Sequence, residues 1–91
     1  MRVIWTEIAV ESLRAIRKYI DAGNPAAART VADQIQRSVQ RLATFPRSGR
    51  PGLVSGTREL VVPGFPYFVV YRVNDSHVHV LYVFHTKRNR P

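Results

Sequence analysis

Gly56-Thr57-Arg58-Glu59-Leu60-Val61-Val62, followed by Pro66-Tyr67-Phe68-Val69-Val70-Tyr71-Arg72-Val73, decides how this chain folds. Both runs are rich in β-branched and aromatic residues, and Pro63-Gly64-Phe65-Pro66 between them is turn chemistry. They read as strands over 57–62 and 67–73. The polar turn Asn74-Asp75-Ser76 leads into a third run, 77–84. Strands joined by such short turns pair antiparallel.

Upstream, residues 47–55 carry no helix or strand period and read as a loop. Before them the period changes to that of helices. Ala28, Ala32, Ile35, Val39 and Leu42 form one apolar stripe, predicting a helix over 25–44 with Asn24 as cap and Pro25 at its first position. Ala9, Leu13, Ile16 and Ile20 form another, predicting a helix over 6–21 capped by Thr6 and ended by Ala22-Gly23, with Gly23 in the left-handed conformation. The short connection makes these two an antiparallel hairpin. Arg2-Val3-Ile4-Trp5 reads as an opening strand. The predicted architecture is α+β, in the order β-α-α-β-β-β. It is a single domain over 1–91, with a helical hairpin on one face of a small antiparallel sheet. The other face has no helix left to cover it, and function is sought there.

Ninety-one residues, 45 % of them hydrophobic, suit one folded domain with a thin core. There is no cysteine, which excludes disulfides, thiolate metal sites and cysteine nucleophiles. No run approaches the roughly 18 apolar residues of a membrane span, nor the apolar stretch of a signal peptide, so a cytoplasmic protein is expected. No phosphate loop, dinucleotide fingerprint, His-Glu-x-x-His or Gly-x-Ser-x-Gly occurs, so no cofactor is expected. Fourteen Lys and Arg against six Asp and Glu give a net charge of +8. Only Lys18 and Lys87 are lysines, and arginine favours bidentate contact with phosphate or carboxylate. Such a chain seeks an acidic partner: nucleic acid, acidic protein or anionic surface.

Side chains alternate along strands. On the last strand this puts Val78, Val80, Tyr82 and Phe84 under the helices. His77, His79, Leu81, Val83 and His85 then fall on the open face. Arg58, Arg72 and His85 are the candidates for chemistry on RNA, the arginines holding a phosphate and the histidine moving a proton. Glu59 or Asp75 is a candidate ion-pair partner of Arg72. Tyr67, Tyr71 and Tyr82 interleave with basic residues, as base-stacking platforms do, although core or sheet-face packing is the commoner role of such tyrosines. His77 and His79 share a face, but no third ligand stands at a recognisable spacing, so no metal is expected.

Trp5 before the first helix, Ala9, Leu13, Ile16, Tyr19-Ile20, Asn24-Pro25, Phe45-Pro46, Gly49-Arg50, Gly-Thr-Arg-Glu-Leu, Pro-Tyr-Phe-Val-Val-Tyr-Arg-Val, and His85 ahead of a basic tail together resemble the RelE/ParE superfamily of bacterial toxins. The resemblance covers nearly the whole chain. It implies a type II toxin neutralised by direct binding of a cognate antitoxin. RelE-like members cut messenger RNA on the ribosome, whereas ParE-like members poison DNA gyrase without acting as nucleases. RelE-like enzymes carry a basic residue before the apolar-apolar-Tyr run, where this chain has Phe68. They also alternate two lysines on the preceding strand, which here reads Arg58-Glu59-Leu60. These departures favour the ParE-like branch: a growth-arresting toxin that binds gyrase through Arg58, Arg72, His85, Lys87, Arg88 and Arg90. The alternative is a ribosome-dependent endoribonuclease using Arg58, Arg72 and His85. The antitoxin is expected to lay an acidic tail on Arg14, Arg17, Lys18, Arg29, Arg37 and Arg41, forming a hetero-oligomer.

Overall fold

A computed structural model describes residues 1–87 of the chain. Its elements run β1 (Arg2–Trp5), α1 (Glu7–Asp21), α2 (Pro25–Gln40), β2 (Arg50–Pro51), β3 (Arg58–Val61), β4 (Tyr67–Val73) and β5 (His77–His85). A turn of 3₁₀ helix, Arg41–Ala43, tightens the end of α2. The fold is α+β in the expected order, with both helices packed on one face of a five-stranded sheet.

Both helix starts follow from their caps. The Thr6 hydroxyl accepts from the Ala9 N–H (3.2 Å), and the Asn24 carbonyl oxygen accepts from the Ala27 N–H (3.1 Å). Each supplies a partner that a first helical turn lacks. The end of α1 differs from expectation. Ala22 stays right-handed, and Gly23 is not among the glycines with positive φ, which are Gly56 and Gly64. The N–H groups of Gly23 and Asn24 both close on the Ile20 carbonyl, at 3.1 and 2.8 Å. The helix therefore tightens, and the extended Asn24 turns the chain. Gly64 (φ 79°) does use the freedom its position needs, in the turn between β3 and β4.

The sheet order is β1-β5-β4-β3-β2. It departs from the sequence reading in two ways. The opening strand runs parallel to β5, with Arg2 opposite His77 and Trp5 opposite Val80, so the sheet is mixed. The loop over 47–55 contains β2, which pairs Arg50 with Glu59 and Pro51 with Arg58. Beyond the end of β1, helix α1 takes over the edge of β5. The Ser12 hydroxyl accepts from the Val83 N–H (3.0 Å) and donates to the Ala9 carbonyl (2.7 Å). A buried edge amide is satisfied there by a helix side chain.

The core lies between the helices and one sheet face: Ala9, Val31, Ile35 and Val39 against Val62, Tyr67, Val69, Val80 and Val83. Val83 belongs to this set because alternation along β5 breaks. Val70 pairs with Tyr82, but Tyr71 pairs with Val80, so Leu81 is an extra residue and the strand bulges. Beyond the bulge the faces exchange. Val83 turns into the core, and Tyr82 and Phe84 turn onto the open face beside Val70 and Phe68. This reverses the expectation for Tyr82, Phe84, Val83 and His85.

Candidate functional site

Tyr71 organises the helix side of the sheet. It is fully buried with Leu42 and Val78, and its hydroxyl donates to the Pro46 carbonyl (2.8 Å) while accepting from the Gly49 N–H (2.9 Å). Burial raises its pKa above 10.0, partly countered by the Gly49 hydrogen bond and by the charge of Arg58. Gly49 packs so closely that a Cβ would sit 2.6 Å from this hydroxyl and 2.9 Å from the Glu59 carbonyl oxygen. The loop after α2 is thus clamped to β4 by one phenol.

Arg58 pairs in register with Tyr71 and shares its face. Its Nη1 donates to the carbonyls of Gly49 (2.7 Å) and Arg47 (3.3 Å), so part of its hydrogen-bonding capacity is spent on the same loop. Arg72, the next residue after Tyr71, points to the opposite face and pairs with His79. It is exposed, with Nη1 3.5 Å from the Ser55 carbonyl. Glu59 makes an ion pair with Arg50 (3.2 Å), across β2 and β3, and among the described residues none with Arg72. Glu59 is only 6 % exposed, so it is not a surface carboxylate.

His85 pairs with Tyr67, against which its ring stands edge-on at 5.2 Å. It therefore lies on the helix side, not on the open face. Tyr67 and Tyr71 are four positions apart on β4, which separates the levels of His85 and Arg58 by about 13 Å at about 3.3 Å per residue. Arg58, Arg72 and His85 thus occupy two faces and two levels of the sheet. Phe68 is 4 % exposed and stacked on Phe84 at 5.2 Å, so the position where RelE-like enzymes carry a cation is filled by a packed ring. Tyr67 and Tyr71 are core residues, as tyrosines in such strands more often are, and of the three that interleave with basic residues Tyr82 reaches the open face. Lys87 is exposed just past β5; Arg88 and Arg90 lie outside the described residues. Among the described residues no group of three or more His, Cys, Asp or Glu is placed to hold a metal ion.

The six helix cations are all exposed. Arg14 and Arg17 border a groove of about 340 Å³ floored by Trp5, Val10, Leu13 and Ala32. Arg14 also meets Glu11 on the same helix, at 3.4 Å. Arg41 borders a larger apolar cleft of about 780 Å³, walled by Phe45, Pro46, Leu60, Val61 and Pro63. Lys18, Arg29 and Arg37 line neither hollow. This cleft was not legible in sequence, although Phe45 and Val61, both exposed, are its visible trace.

The family model described as the ParE toxin of the type II toxin–antitoxin system, parDE, matches residues 3–90. The chain belongs to that family. The toxin is 40 % identical over 90 residues to the toxin candidate Y4kP of Sinorhizobium fredii, covering 99 % of this chain and 93 % of that protein. It is 36 % identical over 87 residues to the toxin RelE2 of Caulobacter vibrioides, covering 96 % and 97 %. A solved structure of the chromosomal ParDE toxin–antitoxin system from P. aeruginosa superposes with a TM-score of 0.86 at 26 % identity, covering 96 % of this chain and 97 % of that one. The toxin–antitoxin complex RelBE2 of Mycobacterium tuberculosis shares the fold, with a TM-score of 0.62 at 24 % identity over 92 % and 95 % of the two chains.

Proposed function

We propose that this toxin arrests growth by binding DNA gyrase and holding it on cleaved DNA, and that a cognate antitoxin silences it through an acidic segment laid on the helical hairpin. The observation that carries the reading is the scattering of Arg58, Arg72 and His85 over two faces and two levels, with Phe68 buried. Cleavage at a 2′-hydroxyl needs an acid, a base and a phosphate clamp around one atom. A binding toxin needs only an accessible surface. Arg72 and Lys87 supply exposed cations for that contact, and the reading extends to Arg88 and Arg90.

For the antitoxin, the groove beside Arg14 and Arg17 suits an amphipathic acidic segment, apolar side inward and carboxylates on the rim. Both structural neighbours described above come from toxin–antitoxin systems, which supports such a partner. No described helix is long and apolar enough to cross a membrane. The reading puts the toxin in the cytoplasm, where gyrase works.

The test sets the purified toxin against gyrase with supercoiled plasmid and, in a parallel tube, against ribosomes translating a messenger RNA. Trapped plasmid cleavage with intact message is expected. Cut message with unaffected gyrase reverses the assignment to the ribosome-dependent nuclease, a reading that the relative named RelE2 keeps in view. In that case His85→Ala lowers cleavage by orders of magnitude while leaving antitoxin binding intact.

A further inference from the structure

The bulge at Leu81 sorts the open face into two ends. At one end it delivers Tyr82 and Phe84 beside Phe68, with Tyr82 and Phe84 ring centroids 4.4 Å apart. At the other end stand Arg72, its register partner His79, then His77 and its register partner Arg2. The two imidazoles lie 5.8 Å apart, each with one ring nitrogen at a neighbour: His79 Nε2 at the Asn74 amide (3.2 Å) and His77 Nδ1 at the Ser76 hydroxyl (2.6 Å). Among the described residues the other nitrogen of each ring makes no hydrogen bond. The carboxylate on this face, Glu59, is buried against Arg50, and among the described residues no carboxylate makes an ion pair with Arg72 or Arg2. Asp75, in the adjoining turn, is exposed.

We propose that this face binds single-stranded nucleic acid, with backbone phosphates along Arg72, His79, His77 and Arg2 and a base stacked on Tyr82. Arginine forks and imidazole N–H groups both donate to phosphate oxygens. His77 and His79, two apart on β5, lie about 6.6 Å apart along the strand, and Arg72 and Arg2 stand beside them on the neighbouring strands, so the four form a row of donors that an extended backbone can follow. An aromatic next to such a row takes a base only from a strand whose bases are unstacked, which excludes an intact duplex. The proposal commits to the shared chemistry of DNA and RNA strands and does not depend on the choice of gyrase as target.

The test measures fluorescence anisotropy of labelled oligothymidylate, labelled oligouridylate and a duplex of equal length across a salt series. Both single strands, or one of them, are expected to bind more tightly than the duplex, and the tighter arm tells DNA from RNA. The double variant Arg2→Gln with Arg72→Gln is compared with Arg29→Gln and Arg37→Gln on the hairpin, which removes the same formal charge. The sheet pair is expected to weaken binding by tenfold or more, on the order of two lost phosphate contacts, and to make the log–log salt slope shallower by about 1.4. The hairpin pair is expected to change affinity by less than about threefold. Tyr82→Leu, which keeps apolar bulk, is expected to cost about tenfold. Thermal melting checks that each variant folds as the parent does. Equal losses from both arginine pairs, or a duplex bound as tightly as the single strands, overturn the proposal. So does a toxin that inhibits gyrase yet ignores every oligonucleotide, a result that leaves the proposed target standing.

Discussion

Tyr71 and Arg72 are neighbours in β4, and they belong to different worlds. Tyr71 is sealed under the helices with both hydrogen-bonding capacities of its hydroxyl used inside the molecule. Arg72 stands in water on the opposite side of the same sheet. The helix side is packed, satisfied and stabilising; the open side is cationic at one end and aromatic at the other. A two-layer fold this small leaves half of its sheet outside the core, and that half is where side chains remain available for a partner. Arg58 teaches the same lesson. Its type and position in sequence suggest a twin of Arg72, yet its donors hold the carbonyls of Gly49 and Arg47.

The contrast is sharpened by substitutions of decreasing weight. Ile35→Ala, at the centre of the covered side, is expected to cost about 2–5 kcal/mol in a urea titration. A smaller loss would mean that the core can collapse around the cavity. Tyr71→Phe is expected to cost about 1–3 kcal/mol, because the buried Gly49 N–H and Pro46 carbonyl both lose a partner.

The phenol also predicts an alkaline limb. Its folded pKa is raised above 10.0 by burial, so its contribution is fully present below the unfolded value and is lost as pH rises through the folded one. Melting temperature should therefore fall above about pH 10 more steeply in the parent than in Tyr71→Phe. Parallel falls would show that burial does not hold that proton.

Smallest is the arginine pair. Arg58→Ala is expected to lose about 1 kcal/mol through the loop carbonyls, and Arg72→Ala to stay within about 0.5 kcal/mol. Equal losses would erase the distinction between the two sides.

Helix positions were legible because caps and apolar period are local: Thr6 and Asn24 announce the starts, and the stripe through Ala28, Ile35 and Val39 announces the buried side. β4 was legible to the residue because a turn bounds each end. The site was much less so. In Val80-Leu81-Tyr82-Val83-Phe84 every residue is apolar, so nothing in the run marks where alternation breaks. Strict alternation through this run places His85 on the open face and Tyr82 in the core, and the bulge at Leu81 reverses both. Likewise β2 is two residues long and exists only because Glu59 and Arg58 present an edge to Arg50 and Pro51.

The amino-acid order alone determined the β-α-α-β-β-β succession, the hairpin of helices and the excess of positive charge, because period, caps, turns and ionisable groups act over a few residues. Tertiary structure alone decided that β1 runs parallel beside β5, that β5 bulges at Leu81, and which arginine serves the fold and which faces outward. Those outcomes depend on partners distant in the chain, such as Arg2 with His77 and Tyr71 with Pro46, whose pairing is set by packing in three dimensions and leaves no local pattern to read.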